Sequence, residues 1–323
     1  MARKPLGPSP LPDLHAKGQR LMISVVIPSY NSEDTIRTCL RSLQNQFQTS
    51  DLETIVVDSS NDRTPEIVAS GFPAVKLVHL DKRTDPGTAR NIGVQKARGD
   101  LIAFIDADCV AAPDWLRRID EAHESTYDIV GGIVMNSPKS GNSIGRAGYM
   151  AEFRDFQPAR ARQEVTHIPT CNISYKRRIF REFGLFHGAY YPQEDLIFNY
   201  KLWKHGEKIL LDPSIQVWHQ HRTKLGGFLC HQHSIGRATA RVLREIPLEG
   251  SWIAERPLLA FCLAPFMVLT KFARTLQIFS RHQTGFVREE PMVLPVLALG
   301  LVCWAIGFVE SAYAKRAKSF GTK

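Results

Sequence analysis

No Cys-x-x-Cys pair occurs in the 323 residues, whose six cysteines (Cys39, Cys109, Cys171, Cys230, Cys262 and Cys303) lie far apart. That spacing argues against a disulfide framework and against a cysteine-built zinc site. Residues 1–20 lack the apolar core of a secretory signal; Pro5, Pro8, Pro10 and Pro12 stand among polar and basic residues, so this stretch reads as a flexible tail. Together these absences predict a reduced, intracellular chain. No glycine-rich loop with a nearby lysine follows the first apolar strand, which removes the P-loop basis for nucleotidyl transfer. Acids are also in short supply, 32 Asp+Glu against 41 Lys+Arg, for a net charge of +9. Such an excess suits a polyanionic partner: nucleic acid, an anionic membrane surface, or substrate phosphates. A nucleic-acid module would interleave its basic residues with aromatics on one face. Here they gather in the tail, around 146–181 and beside apolar C-terminal segments, so no nucleic-acid partner is expected.

What is present is enough apolar sequence, 44%, for one large α/β domain with an appendage, and too little charge, 23%, for wholesale disorder. Leu21 to Ile27 is an apolar, β-branched run stopped by Pro28, as expected of a strand buried on both faces of a parallel sheet. Ser32 is placed to N-cap the next helix, with Glu33 and Asp34 favouring its positive end and Ile36, Leu40, Leu43 and Phe47 at helical spacing. Strands are then predicted over 53–57, 75–80, 101–105 and 209–217, with helices over 65–70 and 89–97. Strands alternating with helices imply βαβ units in a mostly parallel, Rossmann-like sheet. Ligands bind such sheets beyond the carboxyl ends of the strands. Polar turns fall there: 28–31, 58–62 and 106–108.

Past about residue 228 the character changes. Leu258 to Thr270 is strongly apolar and runs into Lys271 and Arg274; Met292 to Val309 carries no charge over 18 residues, the lower edge for crossing a bilayer, and Lys315, Arg316 and Lys318 follow. Two spans would leave the basic 271–288 loop on the wrong side for the positive-inside rule. Interfacial or partly inserted helices are therefore expected, with one true span left open. The predicted organisation is a tail over 1–20, a catalytic domain over 21–228 and a membrane-associated helical region over 229–323. The protein is expected at the cell membrane with its catalytic domain on the cytoplasmic side.

The sharpest chemical feature is Asp106-Ala107-Asp108 beyond the 101–105 strand. Two carboxylates at i and i+2 can turn toward one Mg²⁺ or Mn²⁺, which would neutralise a diphosphate leaving group. Downstream, Trp218-His219-Gln220-His221 places two imidazoles at i and i+2, on one side of a strand. A second pair, His231 and His233, raises a four-histidine zinc site as a rival, which no cysteine spacing supports.

Val25 to Asn31, Ile55 to Asp62, Ala89 to Gly93 and Phe104 to Asp108 occur in an order that resembles the N-terminal half of family 2 glycosyltransferases with the GT-A fold. The resemblance continues through Ile168–Lys176, Phe183–Phe186 and Gln193–Asp195, covering about 21–222. It implies an inverting transfer from a nucleotide-diphosphate sugar, UDP-sugar first, with guanine or thymine bases left open. By the same match Pro28, Tyr30 and Asn31 cradle the nucleoside, Asp58 reads the base edge, and Asp62 is a more variable neighbour. Arg90, Asn91 and Asp106 match donor-binding positions, and a guanidinium suits phosphate because it can bond two oxygens. Asp106 and Asp108 match the metal carboxylates, and His219 or His221 the histidine completing the metal shell. Asp195 matches the catalytic base that deprotonates the acceptor, with Glu194 its neighbour, and Asn172 an acceptor-side position. Ile197 and Lys201 depart from the family pattern, which often has an acid and an arginine there, and put the acceptor contacts in doubt. The implied acceptor is lipid-linked or a growing glycan. Trp203 could stack on a sugar but fits a core position equally. An inactive GT-A scaffold is the rival, against which the intact Asp106, Asp108 and Asp195 argue.

Overall fold

The computed structural model describes residues 21–44, 46 and 52–314; the predicted tail, Phe47 and the basic cluster Lys315–Lys318 lie outside them. The first half alternates as expected: β1 (Ile23–Ser29), α1 (Ile36–Gln44), β2 (Leu52–Asp58), α2 (Thr64–Gly71), β3 (Lys76–His79), α3 (Pro86–Lys96) and β4 (Leu101–Phe104). β1 is buried along its whole length because helices cover both of its faces. Each fully buried Val, Ile or Leu there contributes roughly 1.5–3 kcal/mol. Ser32 does not cap α1 through its hydroxyl, which bonds the Tyr30 carbonyl; its own carbonyl accepts from Thr35 and Ile36. The cap that forms is Asp85 on α3, whose carboxylate accepts from the Thr88 N–H at 2.9 Å with Pro86 opening the helix.

The chain continues through β5 (Cys109–Ala111), α4 (Trp115–His123), β6 (Ile129–Asn136), α5 (Ser143–Glu152), β7 (Gln163–Val165), β8 (Ile173–Lys176), α6 (Arg178–Phe183), α7 (Glu194–Lys204) and β9 (Ile209–His219). Strand order is β3-β2-β1-β4-β8-β6-β9-β5, with β7 also on β9. β1 to β4 are parallel, but β8 runs against β4 and β6, and β5 and β7 run against β9. The expected mostly parallel sheet is therefore a mixed one. β6 and β9 in the second half are also parallel, so that half mixes one parallel pair with antiparallel neighbours, which need no crossover.

Five helices complete the described chain: α8 (Leu225–Leu243), α9 (Ser251–Ala254), α10 (Pro257–His282), α11 (Thr284–Arg288) and α12 (Val293–Tyr313). The basic stretch expected as a loop after Lys271 is largely helical, because α10 runs on through Arg274 and Arg281. α10 and α12 are long and apolar enough to cross a membrane, with mean hydropathy 1.5 and 2.1. α12 lies against α8 at backbone contact. A Cβ on Gly236 would meet the Trp304 carbonyl oxygen at 1.9 Å, and one on Gly307 the His233 carbonyl oxygen at 2.1 Å. Gly307→Leu must push the two helices apart. Overpacking of this kind costs about 1–3 kcal/mol or more, so the midpoint of thermal unfolding should fall by about 3–10 °C. An unchanged midpoint would mean that α12 is not clamped to α8 in solution.

Candidate active site

The carboxyl ends of β1 and β4, the far end of β9 and the start of α7 open into one cavity of about 780 Å³. Pro28, Tyr30, Arg90, Asp106, Asp108, Glu194, Asp195 and His219 all line it. Eight residues separated by up to 191 positions thus line one space.

Their arrangement adds what spacing could not show. Arg90 is buried on α3 and reaches two carboxylates: Nη2 donates to Asp106 Oδ1 at 2.6 Å and Nη1 to Glu194 Oε1 at 2.7 Å. Burial disfavours its charge, but Asp106 and Glu194 outweigh that and push its pKa above the ordinary arginine value. This departs from the expected phosphate contact. Both terminal nitrogens are committed to acids, so Arg90 ties the metal-side turn to the start of α7. Glu194 is correspondingly buried. Burial raises its carboxyl above the usual range, Arg90 pulls it back, and the adjacent Asp195 raises it further; the net direction is up. Asp195 keeps a face on the cavity, its Oδ2 accepting from the Thr170 N–H at 3.1 Å and its Oδ1 from the Leu196 N–H at 2.7 Å.

Four expected ligand contacts turn out to be structural ties. Asp58 is fully buried; Ser60 Oγ donates to its Oδ1 at 2.5 Å, and its Oδ2 takes the Ser60 N–H and lies 2.8 Å from His79 Nδ1. Its acceptors are used in holding the 58–62 turn, so it does not present a carboxylate to a base. Asn31 adopts φ +49°, a left-handed conformation that asparagine tolerates, and its Oδ1 accepts from the Asn61 N–H at 3.1 Å. Asn91 bonds the Phe186 carbonyl and N–H at 2.8 and 2.9 Å, clamping the loop before α7. Asn172, fully buried, accepts from Trp115 Nε1 at 2.8 Å and donates to the Ile133 and Ile215 carbonyls, so it braces β6 and β9 and does not face an acceptor. For the fully buried Asp58 and Asn172, each bond lost would strand a buried partner. Asp62 likewise caps Thr64.

For a divalent cation, Asp108, Cys109 and His219 each offer a ligand atom within 4.8 Å of one another. His219 Nε2 lies 3.4 Å from Asp108 Oδ1, and its buried Nδ1 has no hydrogen-bond partner. Burial, with Cys171 alongside, pushes the Cys109 thiol well up, and a thiolate is a softer donor than Mn²⁺ or Mg²⁺ favours. Carboxylate and neutral imidazole are donors that Mn²⁺ and Mg²⁺ accept, and the residues fit that use. Asp106 stands outside this cluster, its Oδ1 turned to Arg90. His221 is also outside the cavity, packed on Tyr149 and Phe153, its imidazole held neutral by burial first and then by His219. His231 and His233 lie on α8 against Glu152 and Glu310 at 3.5 and 3.0 Å, so the four histidines do not form one donor set. Trp203 is 45% exposed on α7, remote from the cavity lining.

Cavity residues to which the sequence reading gave no role are Arg83, Thr84, His167, Tyr191, Arg222, Arg154 and Lys271. Arg83 stacks over Tyr30 at 4.5 Å. Two had a signal: Arg222 follows His221 directly, and Lys271 interrupts an otherwise apolar run.

Residues 24–184 match the family model "Glycosyl transferase family 2". The chain belongs to glycosyltransferase family 2. It is a glycosyltransferase with the GT-A fold. Over 301 residues it is 24% identical to glycosyltransferase AglE of Haloferax volcanii, covering 90% of this chain and 94% of that protein. To the succinoglycan biosynthesis protein ExoO of Rhizobium meliloti it is 41% identical over 100 residues, 31% of this chain and 29% of that one. Among solved structures it is similar to the mannosyltransferase PcManGT of Pyrobaculum calidifontis in complex with GDP-Man and Mn²⁺, with TM-score 0.60 and 18% identity over 90% of this chain and 88% of that one. At that identity the likeness speaks for the fold.

Proposed function

We propose that this glycosyltransferase moves a sugar, with inversion, from a nucleoside-diphosphate donor to a hydroxyl acceptor held at a membrane surface, and that it depends on a divalent metal. The observation that carries the reading is one cavity lined at once by Asp108 and His219 on its metal side and by Asp195 on its acceptor side. Tyr30, Arg83 and Thr84 form the donor end, where a nucleoside stacks on the Tyr30 ring. With Asp58 turned away, the base is not fixed by that carboxylate, and UDP-sugar and GDP-sugar are both donors to test, the second because of the GDP-Man bound by the Pyrobaculum enzyme. Asp108 and His219 would hold Mn²⁺ or Mg²⁺, with Asp106 adjoining; the bound ion supplies charge neutralisation to the departing diphosphate. Asp195 takes the proton of the acceptor hydroxyl as its oxygen attacks the anomeric carbon. Attack on the face opposite the diphosphate breaks the glycosyl–oxygen bond and inverts the configuration. Arg90 and Glu194 hold the Asp106 turn and Asp195 at their separation, which is the positioning that such a displacement needs.

On this reading residues 21–228 carry the catalytic site and 229–323 the membrane-facing helices. Leu258, Phe261, Phe266 and Leu269 on α10 and Leu299, Val302 and Ile306 on α12 are exposed. Such a face fits the cytoplasmic surface of the cell membrane, with Arg274 and Arg281 toward anionic headgroups. A lipid-linked or growing envelope glycan would then meet the cavity from the membrane side.

The test is nucleoside-diphosphate release from a panel of nucleotide sugars by the detergent-solubilised full chain, with membrane lipid extract as acceptor source and with or without Mn²⁺. Metal-dependent release from one donor is expected, with Asp108→Ala shifting the required Mn²⁺ at least about tenfold upward. Absence of release from every donor, together with absence of metal-dependent nucleotide binding, would sink the reading in favour of a scaffold.

A further inference from the structure

Where the cavity adjoins the apolar helices two cations line it, beside the carboxylates Glu152 and Asp155. Arg154, just past α5, and Lys271, on α10, both line it. The Arg154 side chain is only 15% exposed; its Nε lies 3.3 Å from Asp155 Oδ2, and its Nη1 donates to Thr275 Oγ1 at 3.1 Å. The Lys271 ammonium sits on the Trp304 ring, 4.1 Å from its centroid. Burial, then the like charge of Arg154, push that ammonium down to about 7, Asp155 only partly opposing them. Arg154 thus pairs with a carboxylate that is 43% exposed while Lys271 packs on an aromatic ring, and both line the same cavity. Such a pair is relieved by an anion between its members. The donor machinery does not use it: the nucleoside end has Tyr30, Arg83 and Thr84, and the metal side has Asp106, Asp108, His219 and Arg222.

We propose that Arg154 and Lys271 bind a phosphate group carried by the acceptor, an inference that rests on the reading of this cavity as holding donor and acceptor together. A guanidinium can bond two phosphate oxygens while an ammonium adds a compact charge, a combination suited to a phosphate ester. Lys271 stands where the exposed apolar run of α10 ends. From Leu258 to Lys271 is about 20 Å of helix, with Lys271 on the face toward α12 and Leu269 and Phe266 on the opposite, exposed face, so a hydrocarbon chain attached to that phosphate would leave the cavity past the edge of α10 to reach that apolar surface. The phosphate belongs either to such a lipid or to a soluble phosphate ester.

Binding to the detergent-solubilised full chain, followed by titration calorimetry without donor, separates these cases. Farnesyl phosphate should bind, and farnesol should not. Lys271→Gln and Arg154→Gln should each weaken farnesyl phosphate about tenfold or more, while Lys271→Arg, which keeps the charge, should stay within about threefold, showing that loss in the glutamine variant is not misfolding. Farnesyl phosphate binding more tightly than inorganic phosphate assigns the group to a lipid. Equal affinities assign it to a soluble ester, and both results keep the cationic pair. Farnesol binding as well as farnesyl phosphate, wild-type affinity in Lys271→Gln, or absence of binding by both phosphates overturns the proposal. No donor or turnover enters the measurement, so its failure is distinct from failure of the nucleotide-release test.

Discussion

Asp195→Asn is expected to lower sugar transfer by about a hundred- to ten-thousandfold, the range for removal of a positioned general base, while leaving donor affinity within about twofold. The substitution keeps the shape of the side chain. One amide oxygen can still accept the Thr170 or Leu196 N–H, so the first turn of α7 should stay where it is. What is lost is the ability to take a proton as the acceptor oxygen attacks. Uniform binding would be untouched, so the fall belongs in kcat and equally in kcat/KM. Donor affinity measured by nucleotide titration, beside rates with saturating acceptor extract, separates the two effects. Transfer within tenfold of wild type would take the base role from Asp195. Glu194 is a weak heir, because its carboxylate is buried against Arg90; His167, which lines the same cavity, would be next.

The site was legible in the sequence to the extent that its chemistry depends on residue type and strand position. Asp106, Asp108, Asp195 and His219 follow strands or open a helix, and period-2 and period-3.6 patterns place those ends. The failures share a physical origin. Asp58, Asn91 and Asn172 sit in the same motifs, but their side chains point into the protein and satisfy backbone or hydroxyl groups, and a motif does not say which way a side chain turns. The sheet was misjudged after β4 because β5, β7 and β8 are three or four residues long, too short for a period to show. Lys271 stood out only as a break in an apolar run and Arg154 not at all, since their meeting depends on α10 returning to the catalytic unit from more than a hundred residues away. Phe153 and Phe156 flank Arg154 in sequence and face the same cavity, yet nothing local marked this stretch as a wall of it.

Arg90→Met should be the most damaging single substitution to the fold around the site. The guanidinium is 4% exposed and joins Asp106, itself 28% exposed, to Glu194, 4% exposed. Removing one partner of a buried pair costs about 3–5 kcal/mol, because the remaining charge is left uncompensated. Glu194 already has one oxygen, Oε2, with no hydrogen-bond partner, so in the variant its carboxyl escapes the cost by keeping its proton. The sign of the pH dependence follows. A carboxyl whose native pKa is raised holds its proton more tightly folded than unfolded, so stability is fullest at low pH and is lost as pH rises through the native value. Arg90→Met moves that value further up. Its unfolding midpoint should therefore lie nearer wild type at about pH 5 than at about pH 8. Arg90→Met with Glu194→Gln should recover much of the alkaline loss, since a neutral amide needs no counter-charge, while transfer stays low because the Asp106 turn has lost its tie. A deficit that is flat with pH, or that the double variant fails to recover, would place the cost in packing and leave Glu194 without the part assigned to it.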